Sequence, residues 1–148
     1  MIGPCVVDAS VAIKLFIREE GTDLAEMVFA GLAEEPPVRL YVPDFFYVEC
    51  ANILWKYVRR FNYMADEARS DLSDLMQLNL AAVDTENLLA AAFDLAVEYD
   101  LTVYDACNVA LASLLELPLL TADKRLVNKM NGKGHDVRFL GNLEHPSL

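Results

Sequence analysis

Short apolar runs alternate along this chain with longer stretches in which apolar residues recur every three or four positions. The short runs, at 5–7, 38–42, 81–83, 118–121 and 137–140, have the length of buried strands. The longer stretches predict helices over 10–17, 22–35, 45–60, 65–78, 85–99, 105–116 and 123–131. Local punctuation agrees: Thr22-Asp23 opens a helix that Pro36-Pro37 closes, Pro43 stops a strand, and Asn62-Tyr63-Met64 turns between two helices. Strands separated by helices imply a parallel sheet covered on both faces. The expected fold is therefore α/β, a three-layer α/β/α sandwich around a central parallel sheet. No repeat, low-complexity segment or linker interrupts the pattern, so one domain is expected over 1–148.

Composition narrows the class. Hydrophobic residues make up 55% of the 148 positions and charged ones 24%, which excludes a disordered chain and allows a sizeable core. No apolar run approaches membrane-spanning length, and Met1-Ile2-Gly3-Pro4 lacks a basic start and apolar core, so a cytoplasmic protein without a membrane partner is expected. Cys5, Cys50 and Cys107 have no paired or zinc-type spacing and are read as small buried hydrophobes. His135 and His145 have no ligand-like partner and receive no role. Without a nucleophile elbow or a glycine-rich turn, neither a serine hydrolase nor a phosphate-cradling fold is indicated.

The chemistry lies in the acids. Asp8 follows Val6-Val7 and Asp123 follows Leu119-Leu120-Thr121-Ala122, each at the end of a strand-like run. Glu49, in Phe46-Tyr47-Val48-Glu49-Cys50-Ala51-Asn52, and Asp105, in Tyr104-Asp105-Ala106, lie between them. Function in open α/β sheets gathers at the carboxyl ends of strands. Carboxylates converging there repel one another unless a hard cation such as Mg²⁺ or Mn²⁺ holds them.

Each acid also has a simpler explanation. Asp8, Asp105 and Asp123 fall at predicted helix starts, where aspartate caps backbone N–H groups. Glu49 forms a narrow polar stripe with Asn52 and Lys56, and such a stripe ordinarily faces water.

A net charge of −11 argues against a nucleic-acid partner, but its distribution softens the objection. Residues 66–116 hold eleven acids against one base, while 117–148 hold five bases against three acids. Lys56, Arg59 and Arg60 follow Glu49, and Lys14 and Arg18, four apart, would share a helix face beyond Asp8.

Taken in order, Val-Val-Asp8-Ala-Ser10, Glu49 with Asn52, Tyr104-Asp105-Ala106 and Leu-Leu-Thr121-Ala-Asp123 resemble the PIN-domain ribonucleases, and among them the VapC-type toxins of prokaryotic toxin–antitoxin pairs. The likeness runs nearly end to end. It implies a PIN-like fold and a metal-dependent endoribonuclease that hydrolyses RNA phosphodiester bonds. By the same resemblance, Asp8, Glu49, Asp105 and Asp123 form the catalytic acidic pocket, holding Mg²⁺ or Mn²⁺. Asp8 and Asp105 would make direct contact, and Asp123 would be the outermost. Ser10, Thr121 and Asn52 would support them, and Lys14, Lys124 and Arg125 would hold the RNA backbone. Thr102 stands where members commonly carry a small hydroxyl residue. Asn108 departs from the family, many members having an aromatic residue there. A small antitoxin partner is implied, laying a helix near 45–60. A homodimer is expected both from the family and from Trp55, Tyr57, Phe61, Tyr63 and Met64, which crowd one helix–helix connection.

Two other classes stay open at this level. A receiver-type signalling module would use Asp84 as phosphoacceptor beside Lys124, but it needs a second acid next to Asp8, where Val7 and Ala9 stand. A non-catalytic protein-binding α/β domain would use the acids only as caps. Spacing does not reveal which RNA would be cut, how many metal ions act, or which group moves the proton.

Overall fold

The central strands of this chain are too apolar to have a wet face, and the structure buries them from both sides, leaving only the two edge strands partly exposed. The computed structural model describes residues 2–144; His145 lies outside the described residues. Five parallel strands form one sheet in the order β3-β2-β1-β4-β5, with β1 at Cys5–Val7, β2 at Leu40–Pro43, β3 at Ala81–Val83, β4 at Leu119–Thr121 and β5 at Val137–Phe139. Helices α1 (Ala9–Ala12), α2 (Thr22–Ala30), α3 (Phe46–Arg60) and α4 (Ala65–Met76) share one core. In it Val11, Val28, Phe46 and Leu75 meet Val7, Leu40, Val42 and Leu120 of the sheet. Helices α5 (Leu89–Tyr99), α6 (Val103–Leu115) and α7 (Lys124–Met130) build the other core, where Ala92, Leu111, Leu126 and Met130 pack on Val6 and Leu119. This is the three-layer sandwich expected, and among the described residues no helix is long and apolar enough to cross a membrane.

Several predicted boundaries shift, each for a local reason. Helical stretches expected to run unbroken tighten into 3₁₀ turns at their ends: Ile13–Leu15 after α1, Gly31–Ala33 after α2, and Thr85–Leu88 before α5. The first of these separates Lys14 from the helix face it was expected to share with Arg18. Lys14 instead bonds Glu19 and the Glu20 carbonyl, whereas Arg18 pairs with Glu26. Helix α6 begins two residues earlier than its expected start at Asp105, because Thr102 is its cap. Pro43 closes β2 from within rather than stopping it from outside; a proline is tolerated at a strand end, where no ladder N–H is required.

The sheet order fixes where chemistry can happen. From β1 the chain crosses to β2 on one side and, much later, to β4 on the other, so the direction of winding reverses between β1 and β4. The carboxyl ends of those two strands splay apart at such a switch point and leave a crevice. Asp8 and Asp123 follow those two ends.

Candidate active site

Asp8 is the fixed point of the site. Its backbone N–H donates to the Leu120 carbonyl at 3.0 Å, tying the end of β1 to the end of β4. Its side chain is only 7% exposed and, although it precedes α1, makes no capping bond to that helix. Oδ2 instead accepts two hydroxyl bonds, from Ser10 Oγ and from Thr121 Oγ1, both 2.8 Å. The same two hydroxyls carry the surrounding loop: Ser10 Oγ accepts from the Ala122 N–H at 3.0 Å, and Thr121 Oγ1 from the Asp123 N–H at 3.1 Å. Oδ1 of Asp8 faces the Asn108 amide nitrogen at 3.5 Å.

The other acids arrive from different elements. Glu49 stands in the first turn of α3 and Asp105 in the first turn of α6. Asp105 does not cap its helix. Its N–H donates to Thr102 Oγ1 at 3.1 Å, and it is Thr102 that caps the helix. Asp123 does cap α7, through Oδ1 and the Arg125 N–H at 2.9 Å. Of the three aspartates that capping alone might explain, one caps.

The acids lie near enough to one another for their charges to interact. Burial pushes the Asp8 carboxyl up, the Ser10 and Thr121 hydroxyls oppose that shift, and the charge of Asp123 adds to it. Glu49 is pushed up to about 7, first by burial and then by Asp8 and Asp105. Asp105 is pushed up to about 6, first by burial and then by Asp8 and Asp123, with Thr102 and Lys129 acting the other way. Among the described residues none of the four forms an ion pair. Partly buried carboxylates that raise one another and lack a countercharge form a donor set short of a cation. All the donors are hard oxygens, the kind Mg²⁺ and Mn²⁺ prefer. Among the described residues no three acids, histidines or cysteines are already drawn into a metal-ligand cluster. The donor set fits a divalent cation; its final spacing is one that a cation would impose.

The supporting residues divide. Ser10 and Thr121 are built into the site, whereas Asn52 is exposed and shares a cleft with Glu49. Lys14, Lys124 and Arg125 line one pocket together with Asp123, so the structure groups the three bases that the sequence only set near the acids. Lys124 lies over the Phe139 ring, 5.2 Å from its centre. Asn108 and Lys129 were not assigned to the site from sequence. Asn108 sits one helical turn beyond Asp105, 2% exposed, and that i+3 spacing was the available signal. Lys129 gave none, since only folding brings α7 beside Asp105.

The signalling alternative loses its geometry. Asp84 follows β3 at one edge of the sheet, and Lys124 reaches over Phe139 of β5 at the other, four strand spacings or roughly 19 Å away.

Thr121→Val tests the support directly. Valine keeps the shape of this fully buried side chain but removes the donor to Asp8 and the acceptor for Asp123. Urea unfolding of the metal-free protein should show a loss of about 1–3 kcal/mol. An unchanged midpoint would mean that these bonds do not hold the site.

Comparison with known proteins agrees with this architecture. The PIN domain family matches residues 5–131. The chain is 37% identical to Ribonuclease VapC3 of Pyrobaculum aerophilum over 126 residues, 84% of this chain and 92% of that protein. Among solved structures, a toxin-antitoxin complex from Klebsiella pneumoniae contains a chain with the same fold, at TM-score 0.59 and 21% identity, covering 92% of this chain and 97% of that one. Mycobacterium tuberculosis VapC20, described as a Sarcin-Ricin loop cleaving toxin, matches at TM-score 0.62 and 14% identity over 84% of this chain and 93% of its own.

Proposed function

The chain belongs to the PIN-domain family, and from that premise we propose that it is an Mg²⁺- or Mn²⁺-dependent endoribonuclease, the toxin of a toxin–antitoxin pair. The observation that carries this reading is a set of acids gathered around the crevice, of which Asp8, Glu49 and Asp105 are pushed up by burial and by neighbouring carboxylates, with no ion pair to any of them or to Asp123 among the described residues. Such a pocket repels a phosphodiester outright. A bound divalent cation supplies the positive charge that offsets this repulsion, stabilises the transition state and makes water acidic enough to attack.

The chain's own residues do the positioning. Ser10 and Thr121 hold Oδ2 of Asp8, so Oδ1, which has only the long 3.5 Å contact from the Asn108 amide, would be the oxygen to face the cation. Asp105 and Glu49 would complete the contact, each held by the first turn of its helix. Asp123 spends Oδ1 on the Arg125 N–H and is the outermost of the four. Lys124 and Arg125, beside Asp123, would take the RNA phosphates adjoining the cut, whereas Lys14 lines the same pocket with its ammonium held by Glu19 and the Glu20 carbonyl. Purified protein should cleave RNA in Mg²⁺ or Mn²⁺ and stop in excess EDTA. Undiminished cleavage in EDTA would defeat the metal-dependent assignment.

Two partners follow from the surface. Ala51, Trp55, Val58, Ala68 and Leu72 line a mostly apolar groove between α3 and α4, with Arg69 in its wall, the kind of surface on which a partner helix lays its apolar face. An antitoxin helix lying there, with a basic side chain at its end, would reach the carboxylates and compete with the cation. Co-expression with the neighbouring gene product is the test: a complex forms and cleavage falls with it, or the toxin assignment fails while the nuclease stands. The homodimer expected from the aromatic turn rests on fewer residues than the sequence offered. Trp55, Phe61 and Met64 remain exposed, whereas Tyr57 and Tyr63 bond Glu19 and Asp71 of their own chain. Leu89, Phe93 and Val97 add an exposed stripe along α5. Light scattering should give twice the 16.5 kDa chain mass at micromolar concentration, and a strict monomer would refute the dimer.

A further inference from the structure

Beside the carboxylates lies a cleft that shares only Glu49 with the proposed metal site and is otherwise walled by side chains with no part in holding a cation. Phe45, Val48, Glu49, Asn52 and Tyr104 line it. Two of its walls are chain neighbours of candidate metal-binding acids: Val48 precedes Glu49 and Tyr104 precedes Asp105. Both are apolar or aromatic and strongly exposed, Val48 at 71% and Tyr104 at 60%. Phe45 packs against the core on one side and edge-on against Tyr104 on the other, with ring centres 5.4 Å apart and planes at 81°. That contact steadies the tyrosine ring while most of its surface stays open. Asn52, one turn beyond Glu49 on α3, is exposed at the rim, and among the described residues its carboxamide bonds no other side chain.

We propose that this cleft is a nucleobase subsite, receiving an unpaired base of the RNA strand beside the phosphate that is cut. The proposal rests on the ribonuclease assignment and adds where on this chain the base beside the cut is held, and by which side chains. The lining chooses the part of the nucleotide. It holds a carboxylate and no lysine or arginine, so a phosphate is repelled from it, while the flat uncharged base is not. Stacking on an aromatic ring binds any base without a positive charge, which suits a chain of net charge −11. A base inside a duplex has both faces covered, and A-form RNA closes its major groove to side chains, so only an unpaired base can lie on Tyr104. The Asn52 amide offers one donor and one acceptor group to the edge of that base. A helix from a protein partner has the groove between α3 and α4 instead, where Ala51, Leu54, Trp55, Val58 and Leu72 make most of the lining.

The test uses a short single-stranded RNA cut at one mapped bond, together with versions in which the nucleotide on either side of that bond is abasic. Tyr104→Ala should raise KM on the intact RNA about tenfold, the scale of one lost stacking contact, with kcat much less affected. Tyr104→Phe, which keeps the ring, should recover most of that loss. One of the abasic substrates should show the same rise with the parent protein, and Tyr104→Ala should add nothing further on it. An unchanged KM for Tyr104→Ala overturns the subsite, as do losses that multiply on both abasic substrates. Weakened self-association or antitoxin binding by Tyr104→Ala, with KM untouched, overturns it too and assigns the cleft to protein. If the parent leaves every RNA uncut, the ribonuclease assignment falls as well; if the parent cuts and Tyr104→Ala cuts equally, the subsite alone falls.

Discussion

Asp105→Asn should leave a folded protein whose RNA cleavage has dropped roughly 10³-fold, a loss of several kcal/mol of transition-state stabilisation. Asparagine keeps the shape of the side chain and removes only its charge. The helix start survives the change, because the Asp105 backbone N–H keeps its bond to the Thr102 hydroxyl that caps α6. Asp8→Asn should be as damaging to cleavage, since Asp8 stands at the centre of the hydroxyl network. Asp123→Asn should cost much less. Asparagine caps helices as well as aspartate does, and Asp123 already commits Oδ1 to the Arg125 N–H. The measurement is initial cleavage rate at saturating metal, beside a circular dichroism melt to confirm folding. Near-parental cleavage by folded Asp105→Asn protein would remove Asp105 from the reaction.

The second large effect concerns the protein stripped of metal, whose stability should rise as pH falls from about 8 to 5. Most proteins lose stability as their carboxylates protonate; here the sign is reversed. Glu49 is pushed up to about 7 and Asp105 to about 6 in the folded state, against ordinary values of 4.5 and 3.8. Between the ordinary and the raised values the folded chain binds more protons than the unfolded chain does. Stability therefore falls as pH rises through that window and is lowest once both groups are ionised. Removing a charge should act like adding the proton: at pH 8 in EDTA, Glu49→Gln should melt roughly 3 °C or more above the parent. With saturating Mg²⁺ or Mn²⁺ the trend should invert, because protons then compete with the cation for the same oxygens. A parent protein that, without metal, melts lower at pH 5 than at pH 8 would contradict the mutual repulsion of these acids.

The elements of the fold were legible where a single period ruled a whole segment. The strands at 5–7 and 81–83 and the helix at 45–60 stand out as apolar runs or stripes, and the structure has them within a residue or so. Helix ends were less legible, because a 3₁₀ turn and an α turn carry the same apolar spacing over three residues, as at Ile13–Leu15. Thr102 and Asp105 are three apart and each can cap; only the backbone shows that Thr102 does so.

The site divides in the same way. Its acids could be placed at strand and helix ends from sequence alone, but their partners could not. The Thr121 hydroxyl on Asp8 spans 113 positions and the Asn108 amide spans 100, contacts that exist only once β1, β4 and α6 are packed. Asn108 looked like a departure from the family pattern, and the fold turns that residue toward Asp8. The basic residues teach the converse lesson. Lys14 and Arg18 seemed a pair by spacing, yet the chain turns between them and sends Lys14 toward Lys124 and Arg125.

Where a divalent cation binds is the most direct test of the account. Crystals grown with Mn²⁺ and measured at its absorption edge would locate the ion by anomalous scattering, independently of any assay. The strongest peak should lie between Asp8 and Asp105, within reach of Glu49, with Asp123 behind it, and it should vanish in Asp105→Asn crystals. A fully occupied ion elsewhere on the chain, or none between these carboxylates at saturating Mn²⁺, would contradict it.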